Sequence, residues 1–166
     1  MKSKLSAGFS YQVEVIDKNG HVRDSEVVHN IMPGEGLNYV LGAALKGAAQ
    51  IAAFHVGLYE GNYTPVAGDT AATFPVSATE SIAYAELTRV ALTLGTVIGG
   101  SADNSAARAE FTANATKTFY GGFISSSNAK GSVSGVLVSA VRFSSPKQLV
   151  AGEVLRVTAG FVLLSV

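Results

Sequence analysis

Chemistry near neutral pH starts with histidine, and the 166-residue chain has three, His21, His29 and His55. Their surroundings keep them apart. His21 follows an Asn19-Gly20 turn, His29 ends an alternating stretch, and His55 lies within an apolar run. No HExxH or comparably spaced pair occurs, so a metal would need Asp24 or Glu26 carried alongside by the fold. Glu60, Asp69, Glu80 and Glu86 could supply the two carboxylates of glycoside hydrolysis, but that mechanism depends on a spatial separation that no spacing here selects. With no cysteine there is no thiolate nucleophile, zinc knuckle or disulfide framework, which fits synthesis in a reducing compartment. Gly131-Ser132-Val133-Ser134-Gly135 has valine where a nucleophile elbow needs serine. Gly34-Glu35-Gly36 lacks the later glycine and the preceding strand of a dinucleotide fingerprint, and no Walker-type Gly-Lys-Ser/Thr is present. The expectation is a protein that is not an enzyme, with no catalytic residue, metal or cofactor.

The totals narrow the partner class. Twelve Lys+Arg balance twelve Asp+Glu, and charged residues make up 14%, too few and too balanced for a nucleic-acid or anionic-membrane footprint. Hydrophobic residues reach 48% and mean hydropathy is +0.31, yet no run approaches the roughly 18 apolar residues of a membrane-spanning helix. The opening MKSKLSAGFS has a positive start and no apolar h-region, so it reads as a flexible arm over residues 1–8 rather than a signal peptide. Without a secretory signal, the sequons Asn62-Tyr63-Thr64 and Asn114-Ala115-Thr116 carry little meaning. Few charges with 18 glycines and abundant Ala, Ser and Thr suit either a surface covered by neighbouring subunits or a densely packed monomer.

Most of the chain has a β pattern. Phe9, Tyr11, Val13 and Val15 alternate with polar residues, and Asn19-Gly20 predicts a type I′ hairpin into a second strand over residues 21–29. Leu37, Val40, Leu41, Ala44, Leu45 and Ala48 fall at helical spacing, predicting a short helix over residues 37–48 whose apolar stripe, Leu41 and Leu45 included, packs on the core. Glu35 and Lys46 have the signs that the helix dipole favours at its two ends. A strand follows over 51–60, with both faces at least partly covered, and then a polar, Gly/Pro-marked loop over 61–73. Further strands are expected at 81–94, either continuous or interrupted, and at 107–114, 118–126, 132–143 and 153–164. Some eight or nine short strands with one early helix predict an all-β fold: a two-layer antiparallel β-sandwich, of which a jelly-roll is one form, built as a single domain over residues 9–166.

A loop of that length usually has a task, and aromatics in and around it can anchor an interface or pack locally. Tyr59, Asn62, Tyr63, Pro65 and Asp69 are therefore the candidate protein-protein contacts. A charge placed at Leu41 should unfold the subunit, and one at Tyr63 should leave it folded and weaken assembly.

The runs HNIMPGEGLN at 29–38 and HVGLYEGNYTP at 55–65 resemble small structural proteins encoded beside capsid genes in tailed bacteriophages. So do Ala78-Thr79-Glu80 with Tyr84, residues 103–107, 115–118 and Tyr120-Gly121-Gly122-Phe123, so the likeness covers most of the chain beyond about residue 28. It implies a capsid cement or decoration protein of short-tailed phages: a β-sandwich, dimeric or otherwise homo-oligomeric, made in the host cytoplasm and seated on the virion exterior, where it bridges neighbouring major capsid proteins. The alternative is a tail or adsorption component whose loops bind a host glycan or a tail ring.

Overall fold

The computed structural model describes the backbone of residues 5–165 and the side chains of residues 7–163. Strand β1 (Leu5–Ile16) turns its Tyr11, Val13 and Val15 fully inward and pairs with β2 (Val22–His29) as the predicted hairpin. The turn differs from the predicted type I′. Gly20 has φ +84° while Asn19 does not take a positive φ, and Gly20 N–H donates to Asp17 C=O at 3.0 Å, a type I turn closed by a left-handed glycine. Asp17 decides this: its carboxylate accepts from the N–H of Asn19 and of His21, at 2.8 and 2.9 Å. Beyond the turn, a register shift between Val15 and Ile16 leaves Arg23 of β2 as a bulged residue.

The predicted arm shortens. Residues 5–8 belong to β1 and pair with the far end of β9 (Val154–Ser165), from Leu5↔Ser165 to Gly8↔Val162. Ser6-Ala7-Gly8 shows no apolar alternation because backbone bonds to β9 hold this end of the strand. Residues 1–4 lie outside the described residues.

The other strands are β3 (Phe54–Tyr59), β4 (Val90–Leu92), β5 (Ser101–Asp103), β6 (Ala109–Thr112), β7 (Lys117–Ser125) and β8 (Leu137–Leu149). One sheet runs β2-β1-β9-β5 with β6 also on β9, the other runs β4-β3-β7-β8, and every pairing is antiparallel. Their facing sides close a single main core, with Tyr11, Val13, Phe111 and Val157 against Val56, Leu58, Phe119 and Val141. The all-β sandwich expected from the sequence is what forms. Of the stretch expected at 81–94, continuous or interrupted, only β4 is a strand, because residues 81–89 leave the sheet around the Glu80–Arg89 ion pair. Conversely, β8 runs on past Phe143 through Pro146, which an edge strand tolerates.

Helix α1 (Gly34–Leu45) starts three residues before the predicted span and docks the other way round. Gly36 is its buried residue: a Cβ there would lie 2.5 Å from the Val138 carbonyl oxygen, so only glycine lets the helix backbone come this close to β8. Glu35 accepts from the N–H of Leu137 and of Ala71, at 2.6 and 2.8 Å, and so ties the helix start to β8 and to the long loop. With that side inward the leucine stripe points out. Leu37, Leu41 and Leu45 are 45%, 55% and 78% exposed, which overturns the expectation that Leu41 and Leu45 belong to the core.

The 61–73 loop is not a free surface loop. With the short helix α2 (Phe74–Ser77) it folds over the outer side of the second sheet and makes a small second core from Tyr59, Ala71, Phe74, Ala78, Phe123, Leu137 and Ala140. This covers the second face of β3, as its apolar run predicts.

Candidate interaction surface

The structure gathers the five candidate contacts but turns three of them inward. Tyr59 is fully buried and donates its hydroxyl to Val141 C=O at 3.0 Å; Pro65 and Asp69 are buried as well. Asp69 accepts from the Tyr63 hydroxyl at 2.7 Å and from Val66 N–H at 2.8 Å, which holds the loop in its fold. Phe74 is the hub, with the rings of Tyr59, Tyr63 and Phe123 at 5.5, 5.9 and 5.3 Å. Arg142, which the sequence reading passed over, donates to Tyr63 C=O at 2.9 Å and to the Asn62 side chain. Only Asn62, exposed, and Tyr63, half-buried, reach the outside. The cluster's residues serve the loop's own packing first.

The possible acids and bases are likewise engaged. Glu80 and Arg89 form a two-pronged ion pair at 2.8 and 2.6 Å, with side chains 2% and 0% exposed. Arg89 also donates to the carbonyls of Ser127 and Ser132, Glu80 accepts from Gly131 N–H, and the guanidinium lies 5.0 Å over the Phe123 ring. Glu60 accepts from Ser81 and Lys117, and Glu86 from Thr112 N–H. Asp24 and Glu26 face Lys147, a lysine buried at the seam between β2 and β8, at 2.9 and 3.4 Å. The histidines stay apart: His21 and His29 are exposed, and His55 sits on β3, where burial first and the Arg89 charge second hold its imidazole below its ordinary pKa. Among the described residues, no group of three or more His, Asp or Glu side chains could hold a metal, and no helix is long and apolar enough to cross a membrane.

A stripe of uncovered apolar side chains lies at the opposite end of β3 from that loop. Leu37, Leu41 and Leu45 follow one another at every fourth position of α1, and Ala44 beside them is exposed too. Val40 of the same helix lines a cavity together with Val97 and Leu94 of the 93–100 segment, where Val97 and Ile98 are each 73% exposed. Helical periodicity reports an apolar stripe whether it meets the chain's own core or something else, so spacing alone could not have found this surface. Gly36, directly before the stripe, was the available signal. No protein-family model matches the chain, and no curated protein matches it.

Proposed function

We propose that the protein is a non-enzymatic structural component of a bacteriophage virion, a capsid cement that binds the outer surface of the major capsid protein lattice and stabilises the head. The observation that carries the reading is the exposed leucine stripe of α1, Leu37, Leu41 and Leu45. An apolar stripe left open on one helix face of a folded domain is the kind of surface that serves as an interaction site. The carboxylates that could have served hydrolysis are engaged in ion pairs or backbone bonds, and the resemblance of residues 29–38 and 55–65 to small phage structural proteins supplies the partner class.

The mechanism is additive. A stable contact buries roughly 800 Å² on each partner, and repetition over a lattice converts modest single contacts into durable attachment through avidity. A near-neutral, weakly charged chain would recognise its site by shape and apolar fit more than by electrostatic steering. The test mixes purified protein with heads that lack it and measures retention and resistance to thermal or osmotic rupture. Retention with a gain in rupture resistance supports the proposal. Retention without a gain sinks the cementing role, and no retention, with binding instead to tails or to a glycan array, transfers the protein to the tail and adsorption class.

A further inference from the structure

We infer that the cavity beneath α1 is a binding site for an aliphatic chain. At this end the two sheets part, and a cavity of about 380 Å³ opens between them. Phe9 and Phe161 of the first sheet form one wall, Phe54 of the second forms the other, buried Ile124 and Val138 make the floor, and Val97 stands at the mouth. The cavity is open to solvent on one side, and the surface its lining presents is apolar throughout. Its volume lies within the size range of ligand pockets. Two aromatic pairs brace it against collapse: Phe9 with Phe161, ring centres 5.0 Å apart, and Tyr39 with Phe54 at 5.6 Å.

The lining selects the chemistry of the occupant. No charged side chain lines the cavity among the described residues, and its two hydroxyls are already engaged, Tyr39 as acceptor from Ile51 N–H at 2.9 Å and Ser101 as donor to Ile98 C=O at 3.1 Å. A sugar, a nucleotide or a carboxylate drawn inside would leave most of its polar atoms without partners. An alkyl chain asks for none, and any polar head it carries would stay at the mouth. The inference stands apart from the capsid reading, since it concerns what fills this cavity and not what the outer face of α1 meets.

The probe is n-decanol, titrated into the isotope-labelled full chain and followed by amide chemical shifts. The expected result is saturable one-to-one binding, with the largest shifts at Gly100, Ala102 and Val138, and affinity at least tenfold weaker in Ala102→Trp, which fills the cavity. Leu92→Phe, a smaller filling, gives the same reading should the tryptophan disturb the fold. Absence of saturable shifts up to the solubility of the alcohol overturns the inference. So does equal affinity in a folded filled variant, which would place decanol on the outer leucines.

Discussion

Arg89 shows most clearly how a single side chain organises this molecule. Its guanidinium is fully buried and holds Glu80, Ser127 C=O and Ser132 C=O together, so it pins the 127–132 turn to the segment that leaves the second sheet. Removing one member of a buried pair strands the other charge. Arg89→Ala is expected to cost about 3–5 kcal/mol in chemical denaturation, and replacing Arg89 and Glu80 together by methionine should cost clearly less than the sum of the single changes. Nothing in the pattern around residue 89 announced this, because sequence shows a lone arginine within an expected strand and not which carboxylate it meets. His55 makes a second residue-scale prediction. Burial disfavours its charged form, so the unfolded chain, with an ordinary histidine pKa of 6.5, binds the proton more readily than the folded one. The stability that this histidine contributes is present above about pH 6.5 and is lost as pH falls through that value toward the lower folded pKa. Thermal melts should therefore fall more between about pH 7.5 and 5.5 in the wild type than in His55→Gln. Asp17, Asp103 and Glu153, whose pKa values are lowered from 3.8, 3.8 and 4.5, lose their contributions at more acid pH.

At the scale of elements, α1 and the 61–73 loop exchange the roles that their sequences suggest. The loop is polar and punctuated, yet Asp69, Tyr63, Tyr59 and Phe74 fold it into a covering layer for β3 and β7. The helix has a stripe that would suit a core, yet Glu35 and Gly36 dock it by the opposite side. Leu41→Asp should therefore change stability by less than about 1 kcal/mol, the cost of helix propensity at an exposed site. Tyr63→Asp should destabilise the fold more, because it removes the hydrogen bond to Asp69 and puts a like charge beside it. Urea midpoints of the two variants check the order. The strands were the legible part, since period-2 alternation is written directly in residues such as Phe9 to Val15 and Leu155 to Phe161, and the Asn19-Gly20 turn was found with its type misread. The limits of β4 and the three-residue β5 were not legible, because ion pairs and pairing with β9 decide them, and neither leaves a local trace.

For the whole molecule, two sheets close one core, the second sheet is covered again on its outer side, and buried Lys147, paired with Asp24 and Glu26, closes the seam between the edge strands β2 and β8. At one end, α1 leaves Leu37, Leu41 and Leu45 uncovered in one stripe, and the 93–100 segment leaves Val97 and Ile98 uncovered. The central claim is that this end is where the protein attaches to its lattice, and a single co-sedimentation experiment tests it directly. Heads lacking the protein are mixed with wild type or with Leu41→Asp, each first shown to be folded by its melting transition, and bound protein is measured after pelleting. The account predicts that wild type is retained and that folded Leu41→Asp is lost at least tenfold more readily. Equal retention of the two would contradict it.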